Sequence, residues 1–62
     1  MKERYFIITF ATNITVFATA FNETEAAILA QAAMIKNGLA YDIKTVRETS
    51  RISDMTTTNY CV

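Results

Sequence analysis

Arg4 to Thr12 reads RYFIITFAT and Ile14 to Phe21 reads ITVFATAF, two stretches dense in β-branched and aromatic side chains and free of proline and glycine. Side chains of that kind pack well on a pleated surface, so both stretches read as strands. The only polar break between them is Thr12-Asn13. Asn is the non-glycine residue that best tolerates a positive φ, so the economical connection is a tight turn and the strands pair antiparallel.

Asn22-Glu23-Thr24-Glu25 follows at once and has the pattern of a capping box, with Asn at the N-cap and Glu three residues later. It predicts a helix from Glu23 to Asn37, with Glu23 and Glu25 at the positive end of the dipole and Lys36 at the negative end. Gly38, the only glycine in the chain, supplies the left-handed residue that stops it. Leu39, Tyr41 and Ile43 then alternate with Asp42 and Lys44, which predicts a third strand from Leu39 to about Thr45. Val46 breaks the alternation, so a bulge or the end of the strand falls near Thr45. After the helix reverses the chain, this strand can pair antiparallel with the first, giving strand order 2-1-3.

The expected fold is thus a single α+β domain over residues 1–62, a small antiparallel sheet with one helix packed on one face in β-β-α-β order. The tail, residues 48–62, has two readings. In TTTNYCV, Thr56, Thr58, Tyr60 and Val62 alternate with Thr57, Asn59 and Cys61, which suits a short fourth strand at the sheet edge. Alternatively the tail is partly disordered, because chain ends order only when something ties them down.

Ile28, Leu29, Ala32 and Ile35 share one side of the helix, extended by Leu39, and form the face expected to lie on the sheet. The opposite side carries Ala26, Ala30, Ala33 and Met34 and is poor in charge. Both faces of the hairpin are apolar, because Phe6, Ile8 and Phe10 alternate with Tyr5 and Ile7, and Val16, Ala18 and Ala20 with Phe17. One helix covers one face of a three-stranded sheet, so the other needs a different cover. Which of the two is core and which is interface is left open by the pattern.

Chain length sharpens that question. A domain of 62 residues buries about 60% of its unfolded surface, a marginal core that small proteins reinforce with disulfides, metals or self-association. Cys61 is alone and histidine is absent, so self-association is expected, with Tyr5, Ile7, Phe17, Ala30, Ala33 and Met34 as candidate interface residues.

Absences also limit the chemistry. Without histidine there is no Ser-His or Cys-His pair and no usual neutral-pH general base, and one cysteine cannot provide zinc-ligand spacing. A single glycine excludes a glycine-rich phosphate loop. Glu23 and Glu25 point apart on a helix and read as capping residues, not as a catalytic pair. The expectation is a protein that is not an enzyme, with no metal and no cofactor. Lys44, Arg47 and Arg51, with Ser50 and Ser53 nearby, are the candidate ligand-binding residues for a phosphate or carboxylate. Interleaved Asp42, Glu48 and Asp54 also allow a solvated surface of mixed sign.

Six basic and six acidic residues cancel, so no long-range field steers the chain to nucleic acid or to an anionic membrane. Lys2 and Arg4 before an apolar stretch, with Ala18-Thr19-Ala20 after it, imitate a signal peptide. Asn13 and the threonines interrupt that stretch, and cleavage after Ala20 would leave too little chain for a core. The single thiol fits a reducing compartment, and a cytoplasmic location is expected.

Glu25 to Val46, EAAILAQAAMIKNGLAYDIKTV, resembles the alanine-rich helix, glycine stop and amphipathic strand of small uncharacterised phage and mobile-element proteins of Gram-positive bacteria. The resemblance implies an accessory or counter-defence protein that binds something. Three functions remain in view: a binding or inhibitory module acting on a host protein, a homo-oligomer sequestering a small anionic or nucleotide-like ligand between subunits, and a small enzyme.

Overall fold

Asn13 takes φ 68°, the left-handed conformation its side chain tolerates. The turn closes by two bonds: Asn13 N–H donates to the Phe10 carbonyl at 2.9 Å, and Phe10 N–H donates to the Ile14 carbonyl at 2.8 Å. On either side run β1 (Arg4–Phe10) and β2 (Thr15–Ala20), antiparallel, with Ile7 opposite Phe17 and Phe6 opposite Ala18. These elements come from a computed structural model that describes residues 2–62.

Helix α1 (Glu23–Lys36) begins where the Asn22 side-chain oxygen accepts from Glu25 N–H at 2.8 Å. It ends at Gly38, φ 70°, where Gly38 N–H donates to Ile35 O and Leu39 N–H to Met34 O at 3.0 and 2.9 Å. That bond pair is the Schellman arrangement, which satisfies carbonyls the last turn would otherwise orphan. Leu39 completes it by packing against the core that contains Met34.

The third strand lies later than its apolar alternation suggests. β3 spans Ile43–Thr49 and pairs antiparallel with β1, Val46 opposite Ile8 and Thr49 opposite Tyr5. Leu39 to Asp42 are instead the connection between layers. A helix rests about 10 Å from the strands it covers, and several residues are needed to return to the sheet plane. The expected irregularity is present as a bulge: Thr9 faces Thr45 and Phe10 faces Ile43, leaving Lys44 as the extra residue.

Of the two readings of the tail, the structure has the strand, and the strand is parallel. The chain turns through the 3-10 segment Ile52–Thr57 and reaches β4 (Tyr60–Cys61), which runs alongside β2 with Cys61 opposite Phe17. The sheet is therefore mixed, four strands in the order β3-β1-β2-β4, and the 2-1-3 order of the first three holds. Asn59 and Val62 N–H donate to Thr15 and Phe17 carbonyls at 2.9 and 2.8 Å, and these bonds tie the chain end to the sheet.

The β3 to β4 connection crosses the sheet on the side away from the helix. Strand alternation puts Cys61 and Thr49 on that side with Phe17 and Tyr5. There the Cys61 thiol lies 3.8 Å from the Met55 carbonyl, and Thr49 Oγ1 donates to Asp54 Oδ2 at 2.7 Å. Parallel crossovers favour one hand, so a connection running back across the sheet takes the opposite face from the helix that ran forward. Under this cover Ile7 is 5% exposed and Phe17 1%. The face expected to need a second subunit is covered by the chain itself, which corrects that expectation.

A second correction concerns the helix. The core is Phe6, Ile8, Phe10, Val16, Ala18 and Ala20 from the sheet with Ala26, Ala30 and Met34 from α1. Ile28, Leu29, Ala32 and Ile35, expected to face the sheet, are exposed. The reason is volume: interiors pack to crystal-like density, and a sheet face already holding two phenylalanines admits alanines opposite them more readily than isoleucines.

Candidate functional site

The outward side of α1 is the surface on which the site is built. Residues four apart stack on one helix face, so burial of Ala26, Ala30 and Met34 turns the residues offset by about half a turn to solvent. Ile28, Ala32 and Ile35, spaced i, i+4 and i+7, form that outer strip, with Leu29 on its flank. Ile28 is 60% exposed, Ile35 57% and Leu29 37%. Gln31 Nε2 donates to the Tyr41 carbonyl at 3.2 Å, holding the β3-proximal loop against the helix, and Tyr41 itself is exposed.

The interface residues expected from the sequence are placed elsewhere. Ile7 and Phe17 lie under the tail, and Tyr5 packs on Phe17 with ring centroids 5.5 Å apart. Ala30 and Met34 are fully buried between helix and sheet, and Ala33 is half-buried. Ile7, Phe17, Ala30 and Met34 serve the intramolecular core. The residues missed were Ile28, Leu29 and Ile35, because a helix apolar on both sides carries two candidate core faces and hydrophobicity alone chooses the bulkier one. The signal that could have found them is the match of small residues to an aromatic sheet face.

Lys44, Arg47 and Arg51 are all exposed, and they do not converge on one pocket. Lys44 sits at the bulge of the edge strand, Arg47 projects beside Ile7 on the tail-covered face, and Arg51 precedes the 3-10 segment. No cavity forms among the described residues. Nor, among them, do three or more Asp, Glu or Cys side chains gather where they could hold a metal ion.

The best-defined charged contact ties the open end of the sheet together. Arg4 donates to Glu48 Oε1 at 3.3 Å and to the Phe21 carbonyl at 3.1 Å, and its guanidinium lies 5.5 Å from the centre of the Phe6 ring. Both members of the ion pair are half exposed, so it orients β1 against β3 and adds little stability. Among the described residues no helix is long and apolar enough to cross a membrane. No protein-family model, curated protein or solved structure matches the chain.

Proposed function

We propose that this chain is a small, non-enzymatic, self-associating binding module that acts on a host protein, in the manner of phage and mobile-element accessory proteins. The surface that makes the contact is the outer face of α1. One observation carries the reading: Ile28, Leu29 and Ile35 are exposed side by side although the monomer already has a filled core on one sheet face and a covered second face. Apolar side chains grouped in this way mark interaction surfaces more often than isolated ones do. With Ala32 between them, Ile28 and Ile35 have the i, i+4, i+7 spacing by which an amphipathic helix enters an apolar groove of a partner.

The test is a photo-reactive amino acid placed at Ile28 or Ile35 in the cells that make the protein. A discrete adduct with one host protein is expected from these positions and not from Lys2, and Ile28→Asp combined with a probe at Ile35 should abolish it. If position 28 or 35 yields no adduct other than with the chain itself, the host-protein reading is wrong.

A further inference from the structure

The outer edge of β3 is the one place where the described backbone offers an unpaired seven-residue strand. Which of its groups face outward can be worked out from the hairpin. Phe10 exchanges its bonds with Ile14 and Asn13, on the β2 side. In an antiparallel strand, successive residues aim their N–H and C=O at opposite neighbours, so Phe6 and Ile8 also face β2 while Tyr5, Ile7 and Thr9 face β3. The bond from Ala11 N–H to the Asp42 carbonyl, 2.8 Å, continues that series. The partners of Tyr5, Ile7 and Thr9 are Thr49, Arg47 and Thr45, whose backbone groups are therefore spent on β1. Val46 and Glu48 point theirs at the open edge.

A second copy can pair with this edge about a two-fold axis; an axis near the middle of Ile43–Thr49 keeps strand against strand, and among those charge decides where it falls. Centred on Glu48 or Arg47, each places a like charge opposite itself, and centred on Thr45, it sets Asp42 against Glu48. Centred on Val46, it sets Val46 against Val46, Thr45 against Arg47 and Lys44 against Glu48, the last pair occurring twice. This register also uses the outward-facing backbone of Val46 in a reciprocal pair of hydrogen bonds. Glu48 accepts from Arg4 through Oε1 only, which leaves its other oxygen for a lysine.

We propose that a second copy of this chain docks antiparallel along β3, centred on Val46, joining two four-stranded sheets into one of eight. The proposal rests on the self-association part of the reading above and names its surface. The axis is perpendicular to the sheet, so both helices lie on the same side, and the dimer presents two apolar α1 faces together while leaving each of them free.

Lys44→Glu and Glu48→Lys test it by light scattering over a concentration series, with circular dichroism to confirm that each variant is folded. The parent should show twice its 7.0 kDa mass. Each single variant turns two attractive pairs per dimer into repulsive ones and should raise the dissociation constant about tenfold or more. An equimolar mixture of the two variants restores both pairs and should recover the dimer, as should both substitutions placed in one chain. A parent that is monomeric at every concentration overturns both this proposal and self-association. A dimeric parent whose variants associate equally well, or a mixture that fails to recover, overturns the β3 edge alone.

Discussion

Replacing Ala30 with Leu asks directly which side of α1 is packed. Leu adds three carbons, which would stabilise the fold by roughly 2.4 kcal/mol at about 0.8 kcal/mol per buried carbon if there were space for them. Ala30 is fully buried against a face that holds Phe6, Ile8 and Phe10, so the added carbons have to displace side chains already packed there. Overpacking of this kind costs about 1–3 kcal/mol. For a domain of this size each kcal/mol is worth about 4–8 °C, so A30L should melt roughly 8–16 °C below the parent for a cost of about 2 kcal/mol. Ile28→Gln is the matched control. Ile28 is 60% exposed. Its replacement therefore forfeits less than half of the roughly 1.5–3 kcal/mol that a fully buried Ile contributes, and should cost roughly 0.6–1.2 kcal/mol. Thermal unfolding followed by circular dichroism at one protein concentration reads both. A30L melting within about 2 °C of the parent while I28Q loses about 10 °C or more would show the helix rotated the other way and refute the packing argument.

Charged replacements at Phe6 and at Phe17 should both unfold the chain, because the two rings are fully buried on opposite faces within one monomer. A folded monomeric Phe17→Asp variant, seen by circular dichroism and light scattering, would contradict the placement of the tail. Gly38→Ala should cost about 1 kcal/mol in urea unfolding, purely from its left-handed backbone, since an added Cβ at Gly38 meets nothing within 4 Å. Gly38→Asn should cost less, and equal losses for the two would point to a steric cause instead.

The helix ends and the hairpin were legible because each is decided by residues within a few positions of one another. Asn22 reaches Glu25, Gly38 takes φ 70°, and Asn13 takes φ 68°, all within their own turns. The candidate surface was not legible in the same way. Its residues were recognised as apolar, but whether Ile28 and Ile35 or Ala30 and Met34 met the sheet depended on the volume of Phe6 and Phe10, which lie more than fifteen residues away.

By itself the sequence determined the β-β-α-β order, the turn at Asn13, both helix caps and the 2-1-3 arrangement of the first three strands, since capping, strand alternation and chain reversal are local matters. The tertiary structure alone decided three things. It rotated α1 onto its alanines, because density in the core favours complementary volumes over the most hydrophobic face. It started β3 at Ile43, because pairing with β1 outweighs the alternation that begins at Leu39. It drew residues 50–62 across Ile7 and Phe17 into a parallel strand beside β2, because a weakly patterned tail takes its conformation from the apolar surface and open edge that it finds.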